Sequence, residues 1–187
     1  MLKKLQYNSP VILTYTLICA AVLLLNYLTG GWTNTYIFSV YRSGAFDLMQ
    51  IPRLLTYVFG HANYAHFISN FTVILLVGPM LEEKYGGKAL AEMMGITAVV
   101  TGIIHVVFFS GHLLGASGVA FMLILLSSFV NCQKGKIPIT VILVAIIYLS
   151  GEIMSGLTKN DNISQMAHVI GGFCGTVFGW AITKGKD

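Results

Sequence analysis

Long uncharged runs of hydrophobic residues alternate with short polar segments along this chain, and the runs have the length of helices that cross a bilayer. Six such windows appear, at about Pro10 to Thr29, Tyr64 to Leu81, Ala89 to Phe109, Gly115 to Asn131, Ile137 to Gly156 and Ser164 to Thr183. Glu92 falls near the start of the third and Glu152 near the end of the fifth, both close enough to an interface to be solvated. The pattern predicts an all-α membrane protein of six transmembrane helices forming one domain over residues 1–187. The longest connection, about Gly30 to Asn63, is rich in aromatic residues and poor in charge, as expected of a loop lying in an interface. No soluble domain, internal repeat or low-complexity tract is visible.

Composition agrees, with 56% of the residues hydrophobic and 10% charged. The formal charge of +4 is topological. With the N-terminus inside, Lys3, Lys4, Lys84, Lys88, Lys134, Lys136, Lys184 and Lys186 are cytoplasmic, and only Arg42, Arg53 and Lys159 lie outside. Both termini are therefore expected in the cytoplasm, and the charge implies no nucleic-acid partner. Met1 to Lys4 before an apolar run also suits a signal peptide ending near Cys19-Ala20-Ala21, but the run continues through Val22 to Leu25, which fits a retained anchor better. Cys19, Cys132 and Cys174 fall within or at the end of spans and read as small packing residues rather than a disulfide framework.

Depth turns scattered polar residues into a constellation. The second, fourth and sixth spans run from outside to inside. At 1.5 Å per residue, His66 and Asn70 lie about 3 and 9 Å below the outer end, Ser117 about 3 Å and His168 about 6 Å. A nucleophile, a base and two hydrogen-bond donors thus share one layer.

Gly115 and Gly118 flank Ser117, which lets another backbone approach and leaves the serine amide open at a helix start. Ser127, Ser128 and Ser150 lack this setting and read as backbone-bonded helix serines. This is not the Gly-x-Ser-x-Gly elbow of soluble hydrolases, whose strand-to-helix turn has no place here. His168 shares one helix face with Gly171, Gly175 and Gly179, and a glycine-lined face packs closely on a neighbour, most simply the fourth span. A neutral imidazole brought to that hydroxyl is a general base. No carboxylate lies in the outer half of span six or near Ser117, so the pair reads as a Ser-His dyad. His66 and Asn70, four apart, present two donors that with the Ser117 amide suit an oxyanion. His61 lies off that face at the interface, as much structural as catalytic, and His105 and His112 read as structural.

Together these segments resemble the rhomboid family of intramembrane serine proteases. The matching segments are Arg53 with His61-Ala62-Asn63-Tyr64-Ala65-His66-Phe67-Ile68-Ser69-Asn70, Glu82 with Gly86, Gly115-Ala116-Ser117-Gly118, and Ala167-His168 with Gly171 and Gly175. The resemblance implies a compact six-helix fold, Ser117 as nucleophile, His168 as base, and His66 and Asn70 as oxyanion donors, with Gly115 and Ala116 beside the oxyanion and substrate. Arg53, His61, Glu82, Gly118, Phe121, Gly171 and Gly175 would support that site. It further implies hydrolysis of transmembrane segments of other proteins near their outer end, preferring a small residue before the cut and helix-breaking residues after it. The polar loop Leu157 to Asn162 would be a movable cap. No cofactor or metal is implied, and the setting would be multi-pass in a bacterial inner membrane.

The chain departs from the family's pattern at three positions. Pro52 stands where Trp often precedes the loop arginine, Phe121 where a Tyr often stacks on the histidine, and Leu125 where a small residue is usual. Rival chemistries fail on the residues: the His-Glu-x-x-His of zinc proteases is absent, and Asp47, Asp161 and Asp187 lie outside the spans, which excludes an aspartyl pair. A non-catalytic relative that binds transmembrane segments is the alternative. A transporter is a weaker third, because no charged residue lies at mid-membrane.

Overall fold

The computed structural model describes residues 6–44, 47–158 and 162–185. The helices are α1 (Pro10–Leu28), α2 (Trp32–Tyr36), α3 (Gln50–Thr56), α4 (Tyr64–Tyr85), α5 (Gly87–Phe108), α6 (Ser117–Ser127), α7 (Ile139–Thr158) and α8 (Asn162–Lys184), with a 3₁₀ turn at Tyr57–Phe59 after α3. Extended pairing among the described residues is confined to one antiparallel bridge between Val40 and Leu113. Lys3, Lys4, Lys159, Asp161, Lys186, Asp187 and the middle of the Leu157 to Asn162 loop lie outside the described residues.

Among the described residues, four helices are long and apolar enough to cross a membrane: α1, α4, α5 and the Gln165–Lys184 part of α8. The fourth apolar run, expected over 115–131, is helical only from Ser117 to Ser127. At 1.5 Å per residue those 11 residues reach about 16 Å, roughly half a bilayer's hydrocarbon thickness. Two features shorten it: Gly115 holds φ +124°, outside the helical region, and turns follow Ser127.

α6 is central. Val119, Met122, Leu123 and Leu126 are fully buried among α4, α5 and α8. α8 lies directly on α6 because its glycines meet backbone: a Cβ on Gly171 would stand 2.0 Å from the Gly118 carbonyl oxygen, and one on Gly175 2.2 Å from that of Met122. Gly179 meets the Phe129 ring. Leu125, where a small residue is usual, packs over Gly172 instead and leaves the contact intact. α7 is peripheral, joined to α6 through Leu125, Phe129 and Val141, with Ile142, Leu143, Ile146 and Ile147 outward.

Two devices tie sequence-distant parts together. Buried Glu82, near the end of α4, accepts the Val11 and Ile12 amides at 2.9 and 3.0 Å. It thereby caps α1 from another helix, where Ser9 provides no side-chain cap. Buried Arg53 anchors the 30–63 segment despite Pro52 before it. It donates to the Tyr36 carbonyl at 2.9 Å, pairs with Asp47, and lies 4.5 Å over the Tyr41 ring. The described residues of that segment form α2, α3 and the 3₁₀ turn, and exposed Trp32 and Tyr36 keep the belt character expected of it.

Candidate active site

The approach to Ser117 is held from both sides. Val40 and Leu113 exchange backbone hydrogen bonds of 2.9 Å each, and the Gly115 amide donates to the Tyr57 carbonyl at 3.0 Å. Ser39 Oγ hydrogen-bonds His112 Nδ1 at 2.9 Å, and the Tyr41 ring rests on the His112 imidazole. The 30–63 segment therefore positions the chain that delivers the serine. Gly115 passes so close to α4 that a Cβ there would lie 2.8 Å from His66 Nε2 and 3.7 Å from Asn70 Nδ2. Only glycine fits at that φ and in that gap.

α4 aims the two donors. Asn63 accepts the His66 amide at 2.9 Å and so starts the helix at Tyr64, which puts His66 in its first turn and Asn70 one turn below. His66 Nδ1 accepts the Ala62 amide at 3.4 Å. With Nδ1 an acceptor, the neutral imidazole carries its proton on Nε2, the nitrogen beside Gly115. Asn70 is buried, and its Nδ2 has no hydrogen-bond partner among the described residues. A buried donor left unsatisfied costs about 1–3 kcal/mol, so this amide is held ready for an acceptor.

α8 brings the imidazole. His168 stacks on Phe121 with ring centroids 4.2 Å apart and planes within 3°. Phe121 lies one turn after Ser117, so the stack sets the imidazole over the first turn of α6. The stacking that the Tyr-to-Phe departure left to the bare ring is present. Gly171, three residues beyond His168, meets Gly118, one residue beyond Ser117, and a Cβ on Gly118 would lie 3.2 Å from the Ala167 carbonyl oxygen. Backbone contact thus fixes the spacing of the two elements.

Ser117, His168, His66 and Asn70 line one cavity of about 320 Å³, shared with Ser69 and with apolar side chains including Leu114 and Ile124. The arrangement joins a hydroxyl, an imidazole and two side-chain donors. Ala116 is buried at the N-cap position before Ser117.

His61 lies outside this cavity. It is fully buried, edge-on to the His66 ring at 5.1 Å, with Nδ1 3.2 Å from the Phe59 carbonyl. Burial, with the neighbouring His66 as a lesser cause, pushes its pKa down to about 4, so it stays neutral. His105 Nε2 bonds the Gly111 carbonyl at 3.0 Å, and with His112 it braces the loop before Ser117. Sequence reasoning missed Tyr57, Ser39 and Val40, whose contacts with the serine segment span more than fifty residues and leave no local pattern.

Residues 48–185, well over half the chain, match the family model described as Rhomboid domain. No curated protein sequence matches this one.

Proposed function

The chain belongs to the rhomboid family, and on that premise we propose that it is an intramembrane serine endopeptidase working through a Ser117–His168 dyad. The observation that carries this reading is the unsatisfied, buried Asn70 amide in the same cavity as Ser117 and the stacked His168. An orphan donor has a physical reason to persist beside a nucleophile if an oxyanion forms there.

In this mechanism Ser117 Oγ attacks the scissile carbonyl carbon while His168 takes the hydroxyl proton. The carbonyl oxygen becomes an oxyanion and accepts hydrogen bonds from His66 Nε2, Asn70 Nδ2 and the Ser117 backbone amide. Collapse breaks the C–N bond, and His168 passes its proton to the leaving amine. Water, deprotonated by His168, then attacks the acyl-enzyme, and the proton returns to Ser117 as the ester breaks.

The substrate is a transmembrane segment of another protein, cut near its outer end. The enzyme sits in a bacterial inner membrane with six spans and both termini cytoplasmic. With the far end of α6 at the cytoplasmic edge, its roughly 16 Å length leaves Ser117 on the order of 10 Å below the outer edge, deeper than a count from the start of the apolar run gives.

The test is cleavage of a fluorogenic transmembrane peptide by the purified protein in liposomes, with Ser117→Ala beside it. Product from the wild type alone is expected. Equal product from both would overturn the nucleophile assignment, and none from either across several peptides would favour a non-catalytic binder of membrane segments.

A further inference from the structure

A predominantly apolar cavity lies apart from the candidate active site. It measures about 580 Å³ and runs between the first halves of α1 and α5, with Tyr15 and Ile18 on one wall, Met94 and Ala98 on the other, Val58 as roof and Val119 behind. An adjoining cavity of about 410 Å³ shares Leu55 and Gly95 with it and continues along α5 toward Glu92. Together they form one trough, and Gly95 sits where the two meet.

We propose that this trough binds an acyl chain of a membrane phospholipid. In the first cavity the polar wall groups are already engaged: the Tyr15 hydroxyl donates to the Val58 carbonyl at 2.8 Å, and Thr14 Oγ1 bonds the Tyr7 hydroxyl at 2.9 Å; Glu92, on the wall of the second, is exposed and pairs with Lys88. A peptide laid there would bring backbone amides and carbonyls with nothing to pair them, and water would find too few partners. A hydrocarbon chain needs none. The trough also opens on the outward surface of the two membrane-crossing helices, where its own lining residues Ile18 of α1 and Ile96 of α5 are exposed. Lipid tails therefore reach it without leaving the bilayer.

The chain would act on the site through the roof. Val58 follows Tyr57, whose carbonyl holds the Gly115 amide, and Val119 lies two residues after Ser117. An occupied trough supports both from below. The inference rests on membrane embedding and not on the protease reading, so its test reads lipid rather than cleavage.

Gly95→Phe places a ring in the trough, and a Cβ at Gly95 meets nothing within 4 Å, so the ring has room. Ile103→Phe, exposed on the same helix and outside the trough, is the control. Each protein is reconstituted in phosphatidylcholine nanodiscs and released for native mass spectrometry. Wild type and Ile103→Phe should retain a phosphatidylcholine adduct. Gly95→Phe should lose it at least about tenfold, since unburying about two methylenes already costs that much affinity. Should Gly95→Phe fail to fold, Ala91→Phe at the exposed rim fills the same space. Repeating the measurement with phosphatidylglycerol should give equal retention, because the contact is with the tail. Adducts undiminished in the filled variants, none on the wild type, or retention that follows the headgroup would each overturn the proposal.

Discussion

The spacing of Ser117 and His168, the proposed nucleophile and base, depends on a backbone contact that one methyl group can break. A Cβ on Gly171 would lie 2.0 Å from the Gly118 carbonyl oxygen, 2.8 Å from its carbonyl carbon and 3.0 Å from its Cα, all backbone atoms that cannot rotate away. Ordinary contact begins at 3.4 Å, so Gly171→Ala forces α8 back from α6 by about 1.4 Å, the difference between 3.4 and 2.0 Å. His168 rides on the same helix one turn away. A misplacement of about 1 Å between reacting groups can cost ~10²-fold in rate, and overpacking costs about 1–3 kcal/mol, partly offset by about 1 kcal/mol from alanine's better helix propensity. Gly172→Ala is the internal control, because its Cβ would stand 3.5 Å from Leu125 Cδ2, an ordinary contact. Turnover of the fluorogenic peptide at saturation should fall about a hundredfold for Gly171→Ala and stay within about twofold for Gly172→Ala. Gly175→Ala, which meets Met122 farther from the imidazole, should lower the melting temperature with a smaller loss of turnover. Wild-type rates from Gly171→Ala, or equal losses from the two neighbouring variants, would refute the packing argument.

Asn70→Ala should reduce kcat about 10²- to 10³-fold with little change in KM; the reverse split, measured on the same peptide, would make Asn70 a packing residue. Glu82→Ala leaves the two α1 amides uncapped and should cost about 1–3 kcal/mol in thermal unfolding, whereas exposed Glu83→Ala should stay within about 0.5 kcal/mol. Neutral His61 contributes stability that is whole above its ordinary value of 6.5 and is lost as pH falls toward its folded value of about 4, about 3 kcal/mol across that window. His61→Gln should flatten this slope, and an unchanged slope would remove His61 as its source. The Asp47 carboxyl is held below its ordinary value of 3.8, chiefly by the Arg53 hydrogen bond, so that pair is intact above about pH 4 and weakens only below it. Arg53→Lys should therefore alter unfolding most near neutrality and least at pH 3, and the opposite trend would contradict the assignment.

The candidate site could be assembled from the sequence because each of its parts is local. Asn63, His66 and Asn70 follow one helical repeat, and His168 to Gly179 follows another, so faces could be read from spacing. Glycine periodicity even named the partner helix, since three positions lacking side chains on one face make sense only against a close neighbour. What stayed hidden depends on pairs far apart in the chain. Nothing near Glu82 says that it caps a helix seventy residues earlier, and nothing near Val40 says that it pairs with Leu113. The length of α6 was hidden for a different reason. Hydrophobic content continues through Asn131 while the helix stops at Ser127, because hydropathy reports burial and not backbone hydrogen bonding.

These hidden contacts converge on one requirement. A serine at the first position of a short helix has no preceding turn to hold it, so its place must be set by the chain that arrives there. Here that chain is pinned by Tyr57 and Val40 on one side and pressed against His66 on the other, with Gly115 the residue small and flexible enough to pass between. The 30–63 segment, fixed by Arg53, is thus part of the site's frame although none of its described residues lines the cavity. Loosening it should lower activity while His168 remains stacked on Phe121, because the stack belongs to α6 and α8 and the approach does not.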